Sequence, residues 1–295
     1  MDIRTALKQG LAQLRSACVP SHTLAAELLL LHVLGRDRTW IYAHPEEEIS
    51  PAEVRCFLEL IARRSRGEPT QHLTGKQEFW GLEFEVTPDV LIPRPETEHV
   101  IEVALDRLAI REIRAGRKQT SSGEGLEIAD VGTGCGCIAV ALAKELPGAT
   151  IYATDISSAA LAVARRNAAR HSVSDRIHFL ESNLLDEASD LPLFFDLIVS
   201  NPPYIGRCEA ATLMREVRDY EPEVALYGGE EGYELYGDLI AQSAAHLKPG
   251  GILVLELGHN SLPAVQPLLD AAAWANVGVT NDLAGISRVV AAERL

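Results

Sequence analysis

The chain has 295 residues, 47% of them hydrophobic, enough to bury a substantial core in one large domain and a smaller one. Acidic residues outnumber basic ones 42 to 27, a net charge of −15, and such a field repels a phosphate backbone unless positive charge is clustered, so direct binding of duplex nucleic acid is disfavoured. There is no basic amino-terminal region followed by an apolar core, and the longest apolar run, Leu24 to Leu34, holds Glu27 and His32 and is too short for a bilayer, so a cytoplasmic protein with no membrane partner is expected. The five cysteines are odd in number, and the one-residue separation of Cys135 and Cys137 suits neither a zinc knuckle nor a redox pair. They are expected to be reduced thiols packed as small hydrophobes, and no metal site is expected.

Residues 1–75 read as a small helical bundle. Ile3, Leu7, Leu11, Leu14 and Cys18 recur at helical spacing, and Leu24 to Leu34 is apolar nearly all round. Ser50-Pro51-Ala52-Glu53 supplies an N-cap, a proline at the first helical position and a glutamate at the third, opening a helix to about Arg66. Such a bundle either stabilises the chain or docks a partner, and its residues alone do not separate the two. From Gly75 the period becomes two: Phe79, Leu82, Phe84 and Val86 around Gly81 predict a β-hairpin, so residues 76–99 form a connector. Leu91-Ile-Pro-Arg-Pro-Glu-Thr-Glu98 then gives a stiff approach to a helix carrying Val100, Ile101, Ala104, Leu105 and Leu108. Its charged residues either solvate that approach or face a cleft. Residues 111–125 are polar and glycine-rich and read as an exposed loop.

From Leu126 strand and helix alternate, the pattern of a parallel sheet covered on both faces. Strands are predicted at 126–131, 150–154, 176–181, 195–200 and 251–257, and helices at 136–146, 157–171, 233–247 and 261–273. Val277 to Thr280 and Arg288 to Ala292, joined by a tight connection, predict a closing antiparallel pair.

The chemistry gathers at the ends of these strands. Asp130-Val-Gly-Thr-Gly-Cys-Gly-Cys137 follows the first strand and opens a helix, so Gly132, Thr133, Gly134, Cys135 and Gly136 let a ligand lie directly against the backbone. The run lacks the Lys-Ser/Thr of a phosphate loop, and Cys137 takes the place of the last glycine of a dinucleotide fingerprint. Asp155 ends the second strand, where a carboxylate accepts from ribose hydroxyls, and Asn183 follows the third, where it either meets an adenine edge or forms a turn. Asn201-Pro202-Pro203-Tyr204 ends the fourth, and its prolines leave backbone carbonyls free to accept. Taken together, these four strand ends describe a nucleoside cofactor facing a planar polar group.

The glycine loop, Asp155 and Asn201-Pro-Pro-Tyr204 resemble class I methyltransferases. Gln71-His-Leu-Thr-Gly75, Phe79-Trp80, Leu91-Ile-Pro-Arg-Pro-Glu-Thr-Glu98, Val199-Ser-Asn-Pro-Pro-Tyr-Ile205, Tyr220-Glu-Pro222 and Asp282-Leu-Ala-Gly285 extend that to a resemblance with the HemK/PrmC family over nearly the whole chain. The resemblance implies an α/β fold, a class I (Rossmann-like) methyltransferase sheet with an antiparallel last strand, preceded by a small all-helical domain and a β-hairpin connector. Implied domains are a partner-recognising bundle at 1–75, a connector at 76–99 and a catalytic domain at 100–295.

The implied reaction transfers a methyl group from S-adenosyl-L-methionine to the side-chain amide of the glutamine in the Gly-Gly-Gln loop of class I peptide-chain release factors. Implied cofactor-binding residues are Gly132, Thr133, Gly134, Cys135, Gly136, Asp155, Asn183, Leu184 and Asn201. Asn201, Pro202, Pro203 and Tyr204 would bind the substrate; of these, the Asn201 side-chain oxygen and the Pro202 carbonyl would accept the two amide hydrogens while the Tyr204 ring flanks the flat amide. Cys135, Asn183 and Ser287 stand where the family more often has Ser or Thr, Asp, and Asp. A monomer is expected. The rival readings are a glutamine methyltransferase of a ribosomal protein, an adenine-N6 DNA methyltransferase, against which the charge of −15 argues, and a cofactor-binding protein without activity.

Overall fold

The computed structural model describes residues 1–114, 122–186, 194–269 and 272–295. They divide into two compact units, Met1–Lys76 with Leu213–Tyr220, and Gln77–Thr212 with Glu221–Leu295.

The first unit contains the helices Ile3–Ser16, His22–Leu34, Arg38–Ala43, Pro51–Ser65 and Thr70–Thr74. Their starts follow local chemistry: the Asp2 carboxylate accepts from Thr5 N at 2.7 Å, and Ser50 and Glu53 form a reciprocal capping box behind Pro51. Ile3, Leu14, Leu29, Leu30, Phe57 and Ile61 are buried in its core. Gly10 keeps the first and fourth helices close, since a Cβ there would stand 2.7 Å from the Phe57 ring. Cys18 does not join that core; it lies beyond the first helix, exposed, at φ 54°. Leu213–Tyr220 departs from the expected boundary at residue 100, for it packs with this unit. Glu216 pairs with the buried Arg64, and the Tyr220 hydroxyl donates to the Arg66 carbonyl at 3.3 Å.

The second unit is built on a seven-stranded sheet of β1 (Glu127–Val131), β2 (Thr150–Asp155), β3 (Ile177–Glu181), β4 (Phe195–Ser200), β5 (Leu247–Glu256), β6 (Trp274–Asn281) and β7 (Ser287–Arg294). The order is β6-β7-β5-β4-β1-β2-β3, with β7 antiparallel to both its neighbours and β1 to β5 parallel. The Rossmann-like sheet with an antiparallel last strand is therefore present. Alternation along β4 divides the core. Leu197 and Val199 pack with Val100, Ile101 and Ala104 of the helix Glu98–Arg114, while Ile198 packs with Tyr236, Leu239 and Ile240 of the helix Glu234–His246.

Three details differ from the sequence expectation. β5 begins at Leu247 rather than 251, because Lys248-Pro249-Gly250 forms an irregularity between Phe195↔Leu247 and Leu197↔Ile252. The helix from Glu98 runs through Arg114, where a loop was expected from 111; Arg111 anchors it on the Asp196 carbonyl and carboxylate, both at 3.2 Å. The remainder of that expected loop includes 115–121, which lie outside the described residues, as do 270–271 of the expected helix 261–273. Of the five cysteines only Cys135 and Cys137 are buried; Cys18, Cys56 and Cys208 are exposed.

The hairpin strands Lys76–Phe79 and Leu82–Glu85 turn through Trp80 and Gly81, both at positive φ, as the two-residue hairpin turn that matches strand twist requires. Among the described residues no helix is long and apolar enough to cross a membrane.

Candidate active site

β4, β1, β2 and β3 are neighbours and parallel, so their carboxyl ends lie side by side at the point where the strand order reverses. That is the place where open α/β sheets bind ligands. A cavity of about 270 Å³ lies there, lined by Gly132, Thr133, Gly134 and Cys135 after β1, Asp155 ending β2, Asn183 and Leu184 after β3, and Asn201 and Pro203 after β4.

The glycine loop is held from beneath. Asp130, fully buried, accepts from the Thr133 hydroxyl at 2.6 Å and from Ala139 N at 3.1 Å through the same oxygen. Burial pushes its carboxyl up to about 7, against those two hydrogen bonds. Gly132 and Thr133 both donate backbone N–H to the Thr154 carbonyl at 2.9 Å. Asn167, buried in the helix Ser158–Arg170, donates to the Cys135 carbonyl at 2.9 Å and to the Glu85 carbonyl at 3.0 Å, tying the loop to the hairpin.

The three glycines of the loop are not equivalent. A Cβ on Gly132 or Gly134 would meet nothing within 4 Å, so the open space above them is the cavity itself. On Gly136 it would stand 3.0 Å from the Ala164 Cβ. Gly136, outside the lining, is a packing glycine that caps the helix Cys137–Glu145 at φ 82°. Asp155 uses Oδ2 for Gly134 N at 2.8 Å and Oδ1 for Ser157 N at 2.9 Å. A carboxylate has about four acceptor sites, so capacity remains for a hydroxyl donor. Burial raises its pKa, and the backbone N–H groups oppose the shift.

At the end of β4, Asn201 enters the cavity with its amide fixed, for Nδ2 donates to the Thr97 hydroxyl at 3.1 Å. Pro203 lines the cavity beside it. Pro202 is buried and is not among the lining residues. Tyr204 is not among the lining residues either. Its hydroxyl donates to Oε1 of Glu256 at 3.3 Å, and a Cβ on Gly258 would touch its ring at 3.1 Å. Burial, with the Glu256 charge next, pushes the Tyr204 phenol well above its ordinary value.

The stiff segment Leu91 to Glu98 reaches the site through Leu91, Pro93 and Thr97 rather than through its charges. Arg94 pairs with the buried Glu221, which also accepts from Ile92 N at 3.3 Å, and Glu98 accepts from Trp80 N at 2.7 Å. Thr97 was not among the expected site residues. Ile138, Ile156 and Tyr227 are further unexpected lining residues; their residue types carry no signature that separates lining from core.

The family model described as PrmC N-terminal domain matches residues 5–75, and that described as Methyltransferase small domain matches residues 118–217. The chain is 45% identical over 290 residues to the release factor glutamine methyltransferase of Koribacter versatilis, covering 98% of each chain. It is 42% identical over 284 residues to that of Chlorobaculum tepidum, covering 96% of this chain and 94% of the relative. Among solved structures, the N-terminal domain of human METTL16 in complex with SAH has the same fold, with TM-score 0.50 and 21% identity over 72% of this chain and 76% of that one. The near-complete matches include both the helical amino-terminal region and the site at the strand ends, and the chain belongs to the release factor glutamine methyltransferase family.

Proposed function

We propose that this chain transfers a methyl group from S-adenosylmethionine to the side-chain amide nitrogen of the glutamine in the Gly-Gly-Gln loop of class I peptide-chain release factors, acting as a cytoplasmic monomer without direct contact to duplex nucleic acid. The observation that carries the chemistry is Asn201: an amide held by Thr97 in the cavity that Gly132, Gly134 and Asp155 also line. The substrate reading is supported by 45% and 42% identity to release factor glutamine methyltransferases over nearly their whole length, and the net charge of −15 argues against a nucleic-acid substrate.

The residues present fit the cofactor. Gly132 and Gly134 leave room for a ligand against the backbone, Asp155 has acceptor capacity in reserve for a ribose hydroxyl, and Asn183 and Leu184 line the side on which a base would lie. When bound, S-adenosylmethionine supplies an electrophilic methyl group on a sulfonium sulfur.

A glutamine amide is a poor nucleophile because its nitrogen lone pair is delocalised into the carbonyl. Asn201 answers this by accepting one amide hydrogen at Oδ1 and holding the nitrogen in one direction; the family resemblance assigns the second hydrogen to the Pro202 carbonyl, next to Asn201 in the chain though off the cavity lining. Fixed acceptors also stabilise the positive charge that grows on nitrogen, typically by about 3 kcal/mol for one such contact, and positioning adds to that. The proton leaves afterwards to water, so no base is needed beforehand. The helical unit, in this reading, recognises the release factor.

The test is transfer of labelled methyl from S-adenosylmethionine to purified class I release factors, with the loop glutamine replaced by alanine as the control. Label on the wild-type factor and none on the control is expected. Label on both, or on neither while a ribosomal protein or DNA is methylated, would overturn the proposal.

A further inference from the structure

Glu256 ends β5, the strand beside β4, and is 1% exposed. Its Oε1 accepts from the Tyr204 hydroxyl at 3.3 Å, and its backbone carbonyl accepts from the Tyr236 hydroxyl at 2.8 Å. Oε2 is buried, and no donor reaches it in full hydrogen-bond geometry. The Thr97 hydroxyl stands against the same carboxyl and favours its charged form. Thr97 is itself buried at the cavity wall, and its oxygen accepts from Nδ2 of Asn201 at 3.1 Å.

A hydroxyl has one proton and two lone pairs, and an amide nitrogen only donates. Between a carboxylate and an amide NH2, Thr97 is able to satisfy both, accepting from Asn201 at 3.1 Å and turning its proton towards the Glu256 carboxyl, to which it makes no hydrogen bond of full geometry. The Asn201 amide then has one allowed orientation, because turning it over would set Oδ1 against a lone pair. Without the carboxylate, the Thr97 proton is free to point at Asn201 and the two orientations become comparable.

We propose that Glu256 is a positioning residue for methyl transfer: through the Thr97 hydroxyl it fixes the Asn201 side-chain amide with Oδ1 towards the amide of the substrate. This rests on the reading of Asn201 as the substrate acceptor and adds a residue that touches neither substrate nor cofactor.

Burial pushes the Glu256 carboxyl up to about 7, while Thr97, Tyr204 and the Arg288 charge favour ionisation and Glu96 opposes it. The charged and titratable groups facing it are Tyr204 after β4, Tyr236 from the helix Glu234–His246, Arg288 from β7 and Glu96 ahead of the helix Glu98–Arg114. Only the ionised carboxylate obliges Thr97 to donate. A protonated one donates to Thr97 and releases its hydroxyl proton, so turnover rises through about pH 7 and then levels.

The test uses the full-length enzyme, labelled S-adenosylmethionine and a purified class I release factor. Glu256→Gln and Thr97→Val each lower kcat by about 10- to 100-fold, the scale of a mispositioned reacting group, with cofactor affinity by calorimetry within about threefold of wild type. Thr97→Ser recovers most of the rate, and the rise of kcat through pH 7 is absent in Glu256→Gln. Wild-type kcat in both variants, a retained pH step in Glu256→Gln, or a rate loss matched by equal loss of cofactor affinity would each overturn the inference. If the wild-type enzyme leaves the release factor unlabelled, it is the functional reading that fails, a result distinct from all of these.

Discussion

The Asp155 carboxylate accepts the Gly134 N–H at 2.8 Å, so one lining residue of the cavity also holds the glycine loop that lines it. Asp155→Ala therefore removes an acceptor for the ligand and loosens the glycine loop together. S-adenosylmethionine affinity measured by calorimetry is expected to fall at least about tenfold, or roughly 1.4 kcal/mol. Asp155→Asn keeps one oxygen for its backbone donors, Gly134 and Ser157 among them, and is expected to fall between alanine and wild type. Wild-type affinity in Asp155→Ala would remove Asp155 from the cofactor site.

Gly134→Ala and Gly136→Ala separate ligand space from packing space. Both glycines sit at positive φ, 55° and 82°, where an alanine costs on the order of 1 kcal/mol of backbone strain. The Gly134 Cβ enters open cavity, so its main effect is expected on cofactor affinity, with a melting temperature lowered by only a few degrees. The Gly136 Cβ meets Ala164 at 3.0 Å between the helices Cys137–Glu145 and Ser158–Arg170, so its main effect is expected on stability. Thermal melts of the apo-proteins beside cofactor titrations check the pair, and a reversed ranking would contradict the assignment of the two glycines.

Asn201→Ala deletes the cavity-facing acceptor and leaves Gly132, Gly134 and Asp155 untouched. Turnover on a release factor is expected to fall about 100- to 1,000-fold, the usual cost of one preorganised acceptor or donor in a dry site. Cofactor affinity should stay within a few-fold, because Asn201 shares the cavity wall without holding the glycine loop. Unchanged turnover would sink the acceptor role.

The sheet and the cofactor side of this site are legible because their causes are local. A short apolar run in 195–200, glycines directly after β1 and an aspartate ending β2 are properties of short windows. What escaped is long-range. Thr97 earns its role from an approach to Asn201 across 104 positions. Leu213–Tyr220 joins the helical unit through Glu216 and Arg64, 152 positions apart, and a charged segment gives no warning of such a partner. Tyr204 reads in sequence as part of the clamp, and its contacts with Glu256 and Gly258, brought beside it by β5, lie 52 and 54 positions away and are invisible in that window. The exposed Cys56 and Cys208 show the same limit, since residue type alone does not say which face of a helix or loop it occupies.

Buried carboxylates at this site make stability fall with rising pH. Glu256 titrates at about 7 in the folded chain against an ordinary 4.5, and Asp130 at about 7 against 3.8. Between those limits the folded state holds protons that the unfolded state has released, so each group withdraws stability as pH climbs, and the withdrawal is complete above about 7. For Glu256 the upward shift corresponds to on the order of 3 kcal/mol. Glu256→Gln removes that contribution while keeping the shape of the side chain. The melting temperature of this variant relative to wild type is therefore expected to be several degrees higher at pH 8 than at pH 5. Calorimetric melts of both proteins at the two pH values measure the difference, and a relative melting temperature independent of pH would show that Glu256 is ionised throughout. The same substitution is expected to slow methyl transfer at pH 8, so the buried charge that weakens the fold is the one that holds Asn201 in its working orientation through Thr97.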